Sequence, residues 1–234
     1  MALNENFQIS TLSSEHALFS PSQPAWLGYD DDEYIRKLVS KYRKAIGTEI
    51  HEWVSGQIVL GHKATSLREI YKDIETHIFE KNSFTDSKTG ERITSNFGRT
   101  LLFFMKYVPE ETFGTIKSYI NDCIAFKMET EVRVEFSENF FGTADAIRFD
   151  GKNLKVFDLK TGATPGKIEQ PIIYACLYLL KYHIAVESVS VEARIYQNND
   201  ILGATPDTSE LIPIMNKIIH LDNLTNEFIG GAKR

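Results

Sequence analysis

Asp158 and Lys160, in the string "FDLKTG" from Phe157 to Gly162, set a carboxylate and an ammonium two residues apart at the end of an apolar run. Strand side chains alternate, so the two charges project from one face while Leu159 points to the other and its carbonyl lies at the strand edge. Upstream, "GTAD" ends in Asp145, and a tight turn between the two segments returns that carboxylate toward Asp158. Like charges held close repel unless a proton or cation intervenes, and oxygen ligands with open water positions suit Mg²⁺ or Mn²⁺. Lys160 beside such an ion is placed to orient or deprotonate a water, or to stabilise charge building on a phosphoryl oxygen. The chemistry so implied is phosphodiester hydrolysis. A lone D-x-K pair is more often an exposed ion pair of little energetic worth, so the second carboxylate carries the reading.

The same letters occur earlier, in "TDSKTG" (Thr85 to Gly90). That copy lies in a polar stretch of turn formers without apolar alternation, so nothing fixes its Asp86 and Lys88, and it is expected to be a surface loop between helices. A second decoy, "GATPGK" (Gly162 to Lys167), has one residue too few between its glycines for a phosphate loop and Ile168 where Ser or Thr is required.

The elements that must position the chemistry are legible from the apolar period. "DDDEY" supplies capping oxygens and an acidic first turn, followed by helical spacing of Tyr34, Ile35, Leu38, Val39 and Tyr42, and after Gly47 by a second amphipathic stretch through Trp53 and Ile58. Further helices are predicted at about 66–80, 98–107 and 112–126. From Met128 the period becomes two: "ETEVRVEF", "NFFGTADAIRFD" and "NLKVFDLK" predict a three-strand meander, the last two joined by an Asp-Gly turn. A helix through "QPIIYACLYLL", the strand "SVSVEARIYQ" and a last helix over about 207–228 complete the order. The expectation is one domain over 1–234, mainly helical over 1–127, with a sheet-bearing core over 128–234.

Composition bounds the classes. With 42% hydrophobic and 25% charged residues, the 234-residue chain reads as an ordinary globular protein. No run approaches a membrane span and the N-terminus lacks the order of a signal peptide, so a cytoplasmic protein with no membrane partner is expected. Two cysteines, Cys123 and Cys176, exclude a disulfide framework or a four-cysteine cluster. A net charge of −6 argues against holding nucleic acid by overall basicity. The basic run "RKLVSKYRK" (Arg36 to Lys44) is expected to be a solvated helix face rather than a phosphate track.

The string "GTADAIRFDGKNLKVFDLKTG…QPIIYACLY" resembles the PD-(D/E)XK nuclease superfamily, in particular its RecB-like exonuclease branch. That family has G-x-x-D on one strand, D-x-K-T-G on the next and Q-x-x-x-Y on the following helix, matched here by Gly142 to Asp145, Asp158 to Gly162, and Gln170 with Tyr174. The resemblance implies an α/β, restriction-endonuclease-like core, a mixed sheet flanked by helices. It further implies that Asp145, Asp158, the Leu159 carbonyl and His51 of "GTEIHEWV" ligate Mg²⁺ or Mn²⁺, and that Lys160 serves the attacking water. Glu131, at the head of the preceding strand, is a weaker match because Glu129 and Glu135 compete with it. Gln170 and Tyr174, four apart on one helix face, contact a DNA phosphate or position Lys160; with Pro171 next to it, Gln170 is either the cap or in the first turn.

The activity implied is a DNA exonuclease of recombination, repair or phage DNA processing in a bacterial or phage-infected cell, acting alone, as a homo-oligomer or beside a DNA-processing partner protein. The alternatives are a catalytically silent nucleic-acid-binding or assembly subunit on the same scaffold, and an inhibitor or structural protein whose helical first half, roughly Asp30 to Phe126, is the working surface. The other histidines, His16, His62, His77, His183 and His220, have no sequence neighbours that suggest ligation.

Overall fold

The computed structural model describes residues 24–231. His16 and the N-terminal stretch scanned for a targeting signal lie outside them.

Asp30 caps the first helix, α1 (Asp31–Leu60), by accepting the Glu33 amide at 2.8 Å, and Asp31, Asp32 and Glu33 face the positive end of its dipole. α1 is continuous where the sequence predicts two helices. Gly47 costs about 1 kcal/mol inside a helix, but its missing side chain has a use: a Cβ there would sit 2.8 Å from Oγ1 of Thr161. The helix closes at Gly61, left-handed at φ 70°, whose amide caps the last turn. Then come α2 (Leu67–Lys81), capped by Ser66, α3 (Asn96–Phe104), capped by Ser95, and α4 (Glu110–Ala125). Between α2 and α3 the first D-x-K-T-G copy forms the turn of an antiparallel ribbon of β1 (Ser83–Thr85) and β2 (Arg92–Thr94), rather than a plain loop. Asp86 there accepts the amides of Lys88 and Thr89, and Lys88 is exposed.

The main sheet has five strands in the order β3-β4-β5-β6-β7. β3 (Glu129–Glu135), β4 (Phe141–Phe149) and β5 (Asn153–Leu159) form the antiparallel meander, turned at Gly151 with φ 94°. α5 (Glu169–Lys181) returns the chain so that β6 (Ser190–Gln197) pairs parallel to β5. β7 (Asp200–Ala204), unanticipated, folds back on β6 through Asn198 and Asn199, both at positive φ, and α6 (Thr208–Gly231) follows. The architecture is α/β, with a helical N-terminal half and a mixed sheet flanked by helices.

Each sheet face has its own core. Phe157, Leu159, Ala146 and Tyr196 pack beneath α1–α4 with Ile50, Ile74, Ile116 and Ile120. Val156, Leu154, Ile147 and Ala193 pack against Ala175, Leu179, Leu211 and Ile218 of α5 and α6. β5 is buried on both faces, which fixes the strand that carries Asp158. Among the described residues, no helix is long and apolar enough to cross a membrane.

Candidate active site

Extending the β4–β5 register one step past Ala146↔Phe157 sets Asp145 opposite Asp158. Oδ2 of Asp145 accepts the Leu159 amide at 2.8 Å and lies 3.6 Å from Nδ1 of His51, which α1 brings in from the opposite side. Glu131 falls between the registered pairs Thr130↔Ala146 and Val132↔Ala144, so β3 delivers it beside Asp145. Its backbone is left-handed, at φ 52°, a conformation that costs a residue with a side chain about 1–2 kcal/mol and that concentrates at functional sites. One ligand atom from each of His51, Glu131 and Asp145 fits within a mutual 4.8 Å.

This grouping differs from the ligand set implied by the resemblance. Glu131, the weaker match, joins His51 and Asp145, whereas Asp158 belongs to Lys160. Nζ of Lys160 donates to Oδ1 of Asp158 at 3.1 Å and to Oε1 of Gln170 at 2.9 Å. It also lies 2.9 Å from Oδ2 of Asp158, close enough for charge attraction but misaligned for a hydrogen bond, so that buried oxygen has no hydrogen-bond partner. Leu159 lines the cleft between the two sets.

The electrostatics record the crowding. Burial and then the Asp145 charge push the Asp158 carboxyl up to about 6, against the opposing pull of Lys160 and His51. Glu131 is raised too, by burial and then by Asp145. Tyr119, wholly buried close by, has a hydroxyl without a hydrogen bond and a pKa pushed well up by burial. A divalent cation held among His51, Glu131 and Asp145 would neutralise these crowded carboxylates. Carboxylate oxygens with one imidazole and room for water are a donor set that Mg²⁺ or Mn²⁺ accepts.

The site opens into a cleft of about 930 Å³ whose far wall is α1. Arg36, Arg43, Gly47 and His51 follow one face of that helix, and Lys44 lines the same cleft, while Lys37 and Lys41 do not. The basic run is therefore divided: three of its cations line the cleft, of which Arg36 and Lys44 are also exposed to solvent, as expected of a solvated face. The signal was the seven- and four-residue steps from Arg36 through Arg43 and Gly47 to His51, all on one face.

α5 begins at Glu169, so Gln170 lies in its first turn, where Pro171 is tolerated, and its amide holds Lys160. Tyr174, one turn on, packs its ring against β4 at Gly142, where a Cβ would lie 2.7 Å from Cε1. The rejected phosphate-loop string is a loop pinned by Gln197, whose Nε2 donates to the Gly162 and Thr164 carbonyls.

His77 is not isolated as its sequence neighbours suggest. With Glu49 and Glu52 it forms a second cluster of potential ligand atoms at the α1–α2 contact. There Nζ of Lys81 pairs with Glu52 and lies 3.1 Å from Glu49, so the protein supplies the cation itself. Cys123 and Cys176 are separate, buried free thiols.

Comparison with known protein families, with curated proteins and with solved structures finds no match to this chain.

Proposed function

We propose that this chain is a Mg²⁺- or Mn²⁺-dependent deoxyribonuclease, an exonuclease hydrolysing DNA phosphodiesters in recombination, repair or phage DNA processing. The observation that carries the reading is a single cleft in which His51, Glu131 and Asp145 gather beside Lys160, the partner of buried Asp158, and which Arg36, Arg43 and Lys44 line from α1, the helix that bears His51. A structural ion-pair network does not require that arrangement, whereas an anionic backbone drawn to an acidic metal site does.

Asp145, His51 and Glu131, with Oδ2 of Asp158 as a further ligand, would hold the ion, which when bound supplies Lewis-acid stabilisation of phosphoryl charge and a water of lowered pKa. The arginines and Lys44 grip the strand and set the scissile phosphate against the acids. Gln170 and Asp158 hold the Lys160 ammonium in place, from where it orients the attacking water or takes up negative charge on the phosphoryl oxygens.

The test is degradation of end-labelled single- and double-stranded linear, nicked and circular DNA with Mg²⁺ or Mn²⁺. Cleavage should vanish on chelation and in Asp145→Ala, Asp158→Ala and Lys160→Ala, and persist in Lys88→Ala. Full activity in any of the first three, or after exhaustive chelation, refutes the assignment.

A further inference from the structure

A second cavity, of about 720 Å³, lies on the other side of Lys160 and shares Lys160, Gly162 and Thr164 with the acidic cleft. Its volume is that of a small-molecule pocket, roughly 300–1,000 Å³. Its character is different from the cleft's, with Phe140, Phe141 and Tyr174 among its walls, joined by Pro165, Ile173 and Leu177.

Two of these side chains are held in place, Phe141 exposed and Tyr174 half-buried. Phe141 is 52% exposed, yet the Arg133 guanidinium covers one side of its ring at 4.3 Å, which holds the ring in one orientation. Tyr174 reaches the wall only because Gly142 has no side chain to displace it. Flat aromatic surfaces beside cations are how proteins hold unpaired bases without regard to sequence, and every base offers a π-face for them. Of the charged residues in its lining, Lys160 and Lys167 are cations and Glu169 is an anion, and through Lys160 the pocket adjoins the acidic cleft.

We infer that this cavity holds an unpaired nucleobase, that of the nucleotide next to the phosphate seated at Asp145 and Lys160, and hence that the substrate is a single strand or the frayed end of a duplex. This rests on the nuclease reading and adds to it the form of the DNA. Stacked bases in an intact duplex are not free to enter the pocket, so an end must open first.

Two measurements test this. In the first, the wild-type protein cleaves single strands carrying one abasic residue at successive positions. Cleavage at the phosphate beside the abasic residue should fall about tenfold or more, the worth of one stacked base, and Phe141→Ala should lower cleavage of the intact strand similarly while removing the abasic penalty. In the second, Ca²⁺ replaces the active metal and a strand containing 2-aminopurine is titrated with protein. Its fluorescence should be quenched by wild type, much less by Phe141→Ala and Ile173→Asp, with the thermal midpoints of both variants unchanged. Cleavage without abasic or Phe141 sensitivity overturns the base pocket and leaves the nuclease reading intact. Quenching without any cleavage upholds the pocket and overturns the nuclease reading. Equal rates on blunt duplex and single strand likewise remove the inference.

Discussion

Asp158 is where burial and function oppose each other. It is 2% exposed, and only one of its oxygens has a hydrogen bond. Its folded pKa is raised from 3.8 to about 6, so between those values the native state binds more protons than the unfolded chain. The metal-free protein must then lose stability as pH rises through that window, by an amount on the order of 2–3 kcal/mol. Asp158→Asn removes the buried charge while Lys160, partly solvated, keeps Gln170. In chelator, this variant should melt higher than wild type at neutral pH and show a flatter melting profile from pH 3.8 to about 6. A lower midpoint, or an unchanged slope, would show that Asp158 is an ordinary ion-pair partner. The pair itself was legible from D-x-K spacing at a strand end. That Nζ of Lys160 leans on both Asp158 oxygens, and that Glu131 gathers with His51 and Asp145, was not legible. Both depend on side-chain direction and on a left-handed backbone at Glu131, to which the alternating pattern gives no clue.

At the scale of elements, the meander, its Asp-Gly turn, the helix and strand that follow it and the capping oxygens of "DDDEY" all follow from period and capping chemistry. The differences have local causes. Gly47 looks like a helix breaker but is an approach site for Thr161, so two predicted helices are one. β7 rests on Asn198-Asn199, a dipeptide that tolerates positive φ and therefore marks a hairpin, although no strong apolar alternation follows it. Gly142 is the parallel case on β4. Gly142→Ala brings its Cβ within 2.7 Å of the Tyr174 ring, and the ring has to move. Overpacking of this kind costs about 1–3 kcal/mol. Tyr174→Leu removes the clashing atoms, so the double variant should be less destabilised than the two single losses added together. Additive losses in denaturant titrations would mean that β4 and α5 do not meet through this contact.

For the whole molecule, the charge balance decides how DNA would be held if the chain is the nuclease proposed. A net charge of −6 repels a polyanion at long range, so affinity must come from the few cations that touch it. α1 sorts its cations accordingly: Arg36, Arg43 and Lys44 line the cleft, and Lys37 and Lys41 do not. Because each neutralised phosphate releases counterions, log affinity falls with log salt by about 0.7 for every contact to a single strand. Arg36→Gln with Arg43→Gln should therefore weaken single-strand binding in Ca²⁺ and reduce the slope by about 1.4, without a change in melting temperature. Lys37→Gln with Lys41→Gln removes the same charge from the same helix and should leave both affinity and slope nearly as they were. The paired design separates a track from a mere excess of charge: equal losses in the two variants would place the strand somewhere other than the cleft, and with it the phosphate that Asp145 and Lys160 are proposed to act on.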